Sequence, residues 1–121
     1  MTARIGNVTF DCDDVLQMAA FWSAVLGRPV DQGSSDEFAT IGGADEQRVE
    51  PALYFNQVPE AKRSKNRVHL DLVDPDPTTV DRLLALGAAA VANHRLGGHR
   101  WTVMQDSESN EFCVAAKSFT G

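Results

Sequence analysis

Cysteine is scarce in this chain: Cys12 and Cys113 stand alone, in no CxxC or metal-type spacing. That excludes a disulfide framework and a zinc-ribbon module, and it suits reduced thiols in a cytosol. Long apolar runs are missing too. None approaches the ~18 residues that a membrane span requires, so no membrane partner is expected. Positive charge is in deficit, with 11 Lys and Arg against 17 Asp and Glu and a formal net charge of −6. Nonspecific nucleic-acid binding needs the opposite field, so that partner class is excluded. Neither a glycine-rich phosphate loop nor a Ser-His-Asp arrangement occurs. Met1-Thr-Ala-Arg leads straight into a strand pattern, so no secretory leader is expected and the cytoplasm is the expected location.

What is present describes an ordinary globular chain. At 121 residues, 43% hydrophobic and 23% charged, it is expected to form one domain that buries roughly two-thirds of its unfolded surface. Ile5 to Cys12 alternate, with Val8, Phe10 and Cys12 on one side and Ile5, Asn7, Thr9 and Asp11 on the other. Asp13 and Asp14 then offer N-cap candidates. Val15, Met18, Ala19, Trp22, Val25 and Leu26 follow at helical spacing, ended by Gly27 and Pro29. Three strand candidates come next: Pro29–Gln32, Glu37–Ile41 and Ala52–Val58. Residues 59–66 form a polar connector with Lys62, Arg63 and Lys65 and no periodicity.

The pattern then restarts. Arg67-Val-His-Leu-Asp-Leu-Val73 alternates strictly, placing Val68, Leu70 and Leu72 against Arg67, His69 and Asp71. A histidine and an aspartate in mid-strand must face water or line a polar cavity, because burying them unpaired costs several kcal/mol. Asp76-Pro77 reads as an N-cap with proline at the first helical position, and Val80, Leu83, Leu84 and Leu86 complete a helix ending at Gly87. Ala88–Asn93, His99–Gln105 and Asn110–Lys117 are the last strand candidates, punctuated by Gly97-Gly98 and Asp106-Ser-Glu-Ser109. Strand, helix and three strands therefore occur twice, Asn7 matching His69 and Gly27 matching Gly87 at an offset of about sixty residues. The expected fold is α+β: two βαβββ modules, 4–58 and 67–117, forming a curved mixed sheet around a cavity with the helices on its outer face.

This duplication resembles the vicinal oxygen chelate superfamily, which includes glyoxalase I, bleomycin-resistance proteins and extradiol dioxygenases. Asp13-Asp14 through Phe21-Trp22 to Leu26-Gly27 is similar to its first helix, and Arg67-Val-His-Leu-Asp-Leu to its central second-half strand. Leu84-Ala-Leu-Gly-Ala is similar to its second helix end. Met104-Gln-Asp-Ser-Glu-Ser-Asn-Glu-Phe resembles its last hairpin, where aspartate-proline-acid-glycine-asparagine is usual. Asn56-Gln-Val-Pro-Glu60 and the Lys65-Asn-Arg-Val-His-Leu-Asp-Leu run point to a small glyoxalase-like branch.

The superfamily's metal enzymes place one ligand on each of the first, fourth, fifth and eighth strands. Carried over, these positions fall on Asn7, on Ala52 or Tyr54, on His69 and on Cys113. His69 alone is a strong ligand, so no metal and no other cofactor is expected. The resemblance instead implies a small organic ligand and a homodimer. His69 is the catalytic candidate, since imidazole exchanges protons near neutral pH; its bland alternative is a hydrogen-bonded cavity residue. Asn7, Thr9, Tyr54, Asn56, Asp71, Trp101, Glu111 and Cys113 are the candidate ligand contacts. Trp101 reads equally as core or as a flat wall. Glu111 has a turn-building alternative, Cys113 that of an inert buried thiol, and the basic connector that of a solvated run. A lyase or isomerase acting next to a carbonyl is the second functional reading.

Overall fold

The structure, a computed structural model, describes residues 2–117 and divides between Ala61 and Lys62 into two compact units. The outer bounds of the expected domain, residue 1 and residues 118–121, lie outside the described residues.

The first unit contains β1 (Asn7–Cys12), α1 (Val15–Leu26), β2 (Phe38–Ile41) and β3 (Ala52–Gln57), in the sheet order β1-β3-β2. β1 runs parallel to β3, and β2 antiparallel to it. Helix α1 starts where expected: the Asp14 carboxylate accepts from the Gln17 amide at 3.1 Å, satisfying one of the orphan donors of the first turn. It ends at Gly27, whose φ of 64° is the left-handed cap that a residue without Cβ adopts at no cost. The apolar stripe meets the sheet through rings. Phe10 stacks on Trp22 at 5.7 Å and on Phe55 at 5.4 Å, and Trp22 is buried, as core. Two expectations are corrected. Ile5 lies outside β1 and is exposed, and Pro29–Gln32 is no strand: it contributes one bridge, Val30 to Ile41, because Pro29 and Gly33 bracket too short a run.

The second unit contains β4 (Leu70–Val73), α2 (Thr79–Ala85), β5 (Ala89–Leu96), β6 (His99–Gln105) and β7 (Glu111–Ala115), in the order β4-β7-β6-β5. Its buried side chains include Leu83, Met104, Phe112 and Val114. The strand expected over Arg67–Val73 begins only at Leu70, and Val68 is 81% exposed rather than part of a buried face. The reason lies in the partner. β4 pairs in parallel with β7, Leu70 opposite Phe112, so Val68 and the residues before it run past Glu111, where β7 starts, and have no strand to extend along. His69, level with that first residue of β7, stands one residue before the strand, not within it.

Helix α2 is also later than expected. Thr78, not Asp76, is its N-cap residue, because the Asp76 carboxylate closes a turn ahead of it, accepting from the Thr78 amide at 2.8 Å and hydroxyl at 2.7 Å. β5 continues beyond Asn93 to Leu96, joined to β6 by Gly97-Gly98 with φ of 56° and 82°. Both glycines take the positive φ that a two-residue hairpin matched to strand twist demands.

The described residues thus form two small mixed sheets and two helices in the α+β class, in the element order of paired βαβββ units.

Candidate functional site

Strand register in the second unit lays side chains in rows across one face of the sheet. Asp71 on β4 is opposite Cys113 on β7, which is opposite Val103 on β6. The next row runs Val73, Ala115, Trp101 and then His94 on β5. All seven line a hollow of ≈ 980 Å³, together with Lys65, His69, Arg100, Glu111 and Lys117.

At one end of the first row three polar side chains converge. His69 Nδ1 lies 3.3 Å from Asp71 Oδ1 and 3.9 Å from Cys113 Sγ. An imidazole that donates from Nδ1 to Asp71 keeps its lone pair on Nε2, which makes Asp71 an orienting group and Nε2 the atom able to take a proton. The Cys113 thiol is pushed up by burial, and Asp71 pushes the same way through its charge and a hydrogen bond. Lys65 lies near enough for its charge to pull the other way. The net direction keeps the proton on sulfur, which is the reverse of a poised nucleophile.

Glu111 occupies the opposite role. It is 8% exposed, and its carboxylate accepts from the Asn66 amide at 2.8 Å, from Lys62 Nζ at 3.2 Å and from Gln105 Nε2 at 3.3 Å. Burial alone would raise its carboxyl; the three donors outweigh that and lower it to about 2. It is a clamp that fastens the connector to β7. The connector is accordingly not a freely solvated run at Lys62. Behind Glu111 the turn is closed by Asp106 Oδ1, which accepts from the amides of Glu108 and Asn110, and Ser109 has a φ of 67°.

The remaining candidates belong to the first unit. Asn7 Nδ2 donates to Thr9 Oγ1 at 2.9 Å, and Thr9 is opposite Tyr54 and Asp11 opposite Asn56 in the β1–β3 ladder. The Tyr54 hydroxyl accepts from Arg48 Nη1 at 3.2 Å, and its ring meets Phe38 edge-on. Asn7, Thr9, Tyr54 and Asn56 therefore share the face of the first sheet opposite Phe10 and Phe55. His69, Asp71, Trp101, Glu111 and Cys113 gather in the second unit.

His94 is a site residue that sequence reasoning missed, whereas Lys65 entered it only as part of the basic connector, weighed as an anion clamp against a solvated run. His94 stacks on Trp101 with ring centroids 5.4 Å apart and an interplanar angle of 23°. A signal for it existed: a two-residue Gly-Gly turn places Leu96 opposite His99, and counting back two pairs sets His94 against Trp101.

The metal that the fold family implies can be tested on these residues. His69, Asp71 and Cys113 offer donor atoms all within 4.8 Å of one another, the one such group of three among the described residues. Imidazole, carboxylate and thiolate fit a zinc-type ion, and they depart from the oxygen-rich set that harder ions require.

With this geometry the class of protein is defined. The chain belongs to the glyoxalase-like domain family, which matches residues 7–115, within the vicinal oxygen chelate superfamily. No curated protein matches it. Among solved structures it is similar to the fosfomycin resistance protein FosX of Listeria monocytogenes, in a form complexed with Mn(II) and 1S,2S-dihydroxypropylphosphonic acid. That match has 14% identity and a TM-score of 0.78, over 98% of this chain and 94% of that one. It is also similar to a glyoxalase/bleomycin resistance protein/dioxygenase family enzyme of Burkholderia phytofirmans, at 21% identity and a TM-score of 0.67, over 93% and 98%. FosX of Mesorhizobium loti gives 13% identity and a TM-score of 0.73, over 98% and 96%. At these identities the likeness is one of fold.

Proposed function

We propose that this protein binds a small organic molecule in the hollow of its second unit, without a tightly held metal. The observation that carries the reading is the row of Val73, Ala115, Trp101 and His94, an apolar and aromatic floor leading to the polar group at His69. Ligand contacts in this hollow are assigned to Asp71, Trp101, Glu111 and Cys113; Asn7, Thr9, Tyr54 and Asn56, the other candidates, belong to the first unit and are not among the residues that line it. Weak metal holding is the expectation because the Asp71 side chain is 69% exposed, where water competes for its carboxylate. The same reading takes the chain as one cytosolic domain of two modules, acting as a homodimer.

A second reading is favoured by the convergence of His69, Asp71 and Cys113: a lyase or isomerase acting next to a carbonyl. Held by these three residues, a zinc-type ion would supply Lewis acidity toward a carbonyl oxygen. His69, oriented by Asp71, would otherwise move the proton at Nε2.

Metal analysis of the purified protein, with thermal-shift screening over divalent ions and small metabolites, separates the two. The first reading expects substoichiometric metal and stabilisation by an organic molecule. Stoichiometric Zn, Ni, Fe or Mn that disappears in His69→Ala would overturn it in favour of the second.

A further inference from the structure

One wall of the hollow carries no acid. Residues 82–105 contain neither Asp nor Glu, in a chain that has 17. The β5–β6 hairpin within that stretch bears His94, Arg95, His99 and Arg100, two of the three histidines among them. Arg95 stands directly opposite Arg100. Like charges so placed repel, and neither guanidinium makes a hydrogen bond or ion pair among the described residues. The hairpin therefore presents positive charge that the protein itself leaves uncompensated.

His94, His99 and Arg100 all line the hollow. β5 is the edge of its sheet, so β6 alone among the described strands pairs with it. β6 sets Trp101 opposite His94 and His99 on the diagonal, with Arg100 between them, while Arg95 adjoins His94 along β5. The His94 ring stacks on Trp101, and the imidazole makes no hydrogen bond among the described residues. The other charged or titratable groups of the lining are Lys65, His69, Asp71, Glu111, Cys113 and Lys117. Lys62 already pairs with Glu111 at 3.2 Å, and His69 lies against Asp71 at the far edge of the sheet. Between pH 8 and pH 5.5 Glu111, lowered to about 2, stays ionised, and the Cys113 thiol, pushed up by burial, stays protonated. An imidazole gains its proton over that range.

We propose that the hollow takes an organic anion and holds it more tightly as pH falls. The anionic group lies at the hairpin wall, with Arg100 as its fixed counter-charge and His94 as the charge that a proton adds. This rests on the small-molecule reading above and gives the ligand its sign and its pH dependence. By linkage, the anion and the His94 proton each favour the other, so ligand entry takes up a proton.

Two fluorescent probes titrated into the full chain at pH 8 and pH 5.5 test this. Anilinonaphthalenesulfonate keeps its negative charge at both, and phenylnaphthylamine has the same rings without the sulfonate. The sulfonate is expected to bind about tenfold more tightly at pH 5.5, the margin of one charge-assisted contact, and the neutral probe equally at both. His94 and Arg100 are exposed, so their substitution leaves the core untouched. His94→Gln is expected to bring the ratio below about threefold. His94→Lys, charged throughout, is expected to hold the sulfonate at pH 8 as the native chain does at pH 5.5. Arg100→Gln is expected to weaken the sulfonate at both and keep the ratio. A native ratio near one, a ratio that survives His94→Gln, or no gain at pH 8 in His94→Lys overturns the inference and leaves small-molecule binding standing. So does a neutral probe that matches the sulfonate at pH 5.5, or an Arg100→Gln chain that binds it undiminished. Failure of the sulfonate to bind, beside a hit in the thermal-shift screen, does the same. Silence from both probes and from that screen overturns the underlying reading as well.

Discussion

Replacing Glu111 with glutamine asks whether a buried carboxylate holds the connector in place. In the native chain that carboxylate accepts from the Asn66 amide, Lys62 and Gln105. A carboxyl lowered to about 2 from its usual 4.5 corresponds to roughly 3 kcal/mol of stabilisation at neutral pH. Solvent reaching Lys62, whose side chain is 23% exposed, screens that to about 2 kcal/mol. Glutamine keeps an acceptor for Asn66 but sets an amide NH2 group, a donor, against Lys62 and Gln105, so most of this is expected to be lost. The sign of the pH dependence follows from the lowered carboxyl. Its stabilisation is fully present above the unfolded value near 4.5 and is lost as pH falls through that value toward 2. Urea unfolding of native and Glu111→Gln proteins from pH 7 down to pH 2 is the assay. The stability gap should be about 2 kcal/mol at pH 7 and close as the pH approaches 2. A gap that is absent at pH 7, or that stays constant across the range, refutes the account of Glu111 as an ionised clamp.

Three other outcomes are expected. Ser109→Gly relieves a left-handed backbone at φ 67° and should stabilise the protein by about 0.5–1 kcal/mol; an unchanged or lower unfolding midpoint counts against strain at that turn. Gly98→Ala has no steric neighbour within 4 Å, so its cost is that of the φ of 82° alone, about 1 kcal/mol, read as a lowered melting temperature. In a Cys12→Ala background, Cys113 should react with a disulfide reagent more slowly than a free thiol and accelerate at high pH, and Asp71→Asn should hasten it by removing the charge that helps hold the proton on sulfur. A rate indifferent to Asp71→Asn would show that burial alone protects the thiol.

Local physical chemistry was enough to read most elements directly from the chain. Asp14 and Gly27 bound α1 because capping needs only a neighbouring carboxylate and a residue free to take positive φ. The doubled strand-helix-strand order, and with it the α+β class, is carried by periodicity and an internal repeat. Partner-dependent features were not legible. The alternation at Arg67–Val73 is real, but a strand extends only as far as its neighbour, and β7 starts too late to pair with Val68. Asp76 resembled a cap until its carboxylate turned to the Thr78 amide and hydroxyl.

Residue types by themselves nominated His69 and Asp71, since each is costly in a strand pattern unless something engages it, and Trp101 as a flat ring; Cys113 was nominated by the resemblance to the superfamily's last-strand ligand position. That His69 and Cys113 both meet Asp71, that His94 lies flat on Trp101, and that Glu111 ties down a connector 45 residues away were decided only by tertiary structure. Parallel pairing of β4 with β7 joins residues some forty positions apart, and spacing along a chain carries no trace of which rows such a crossover will align.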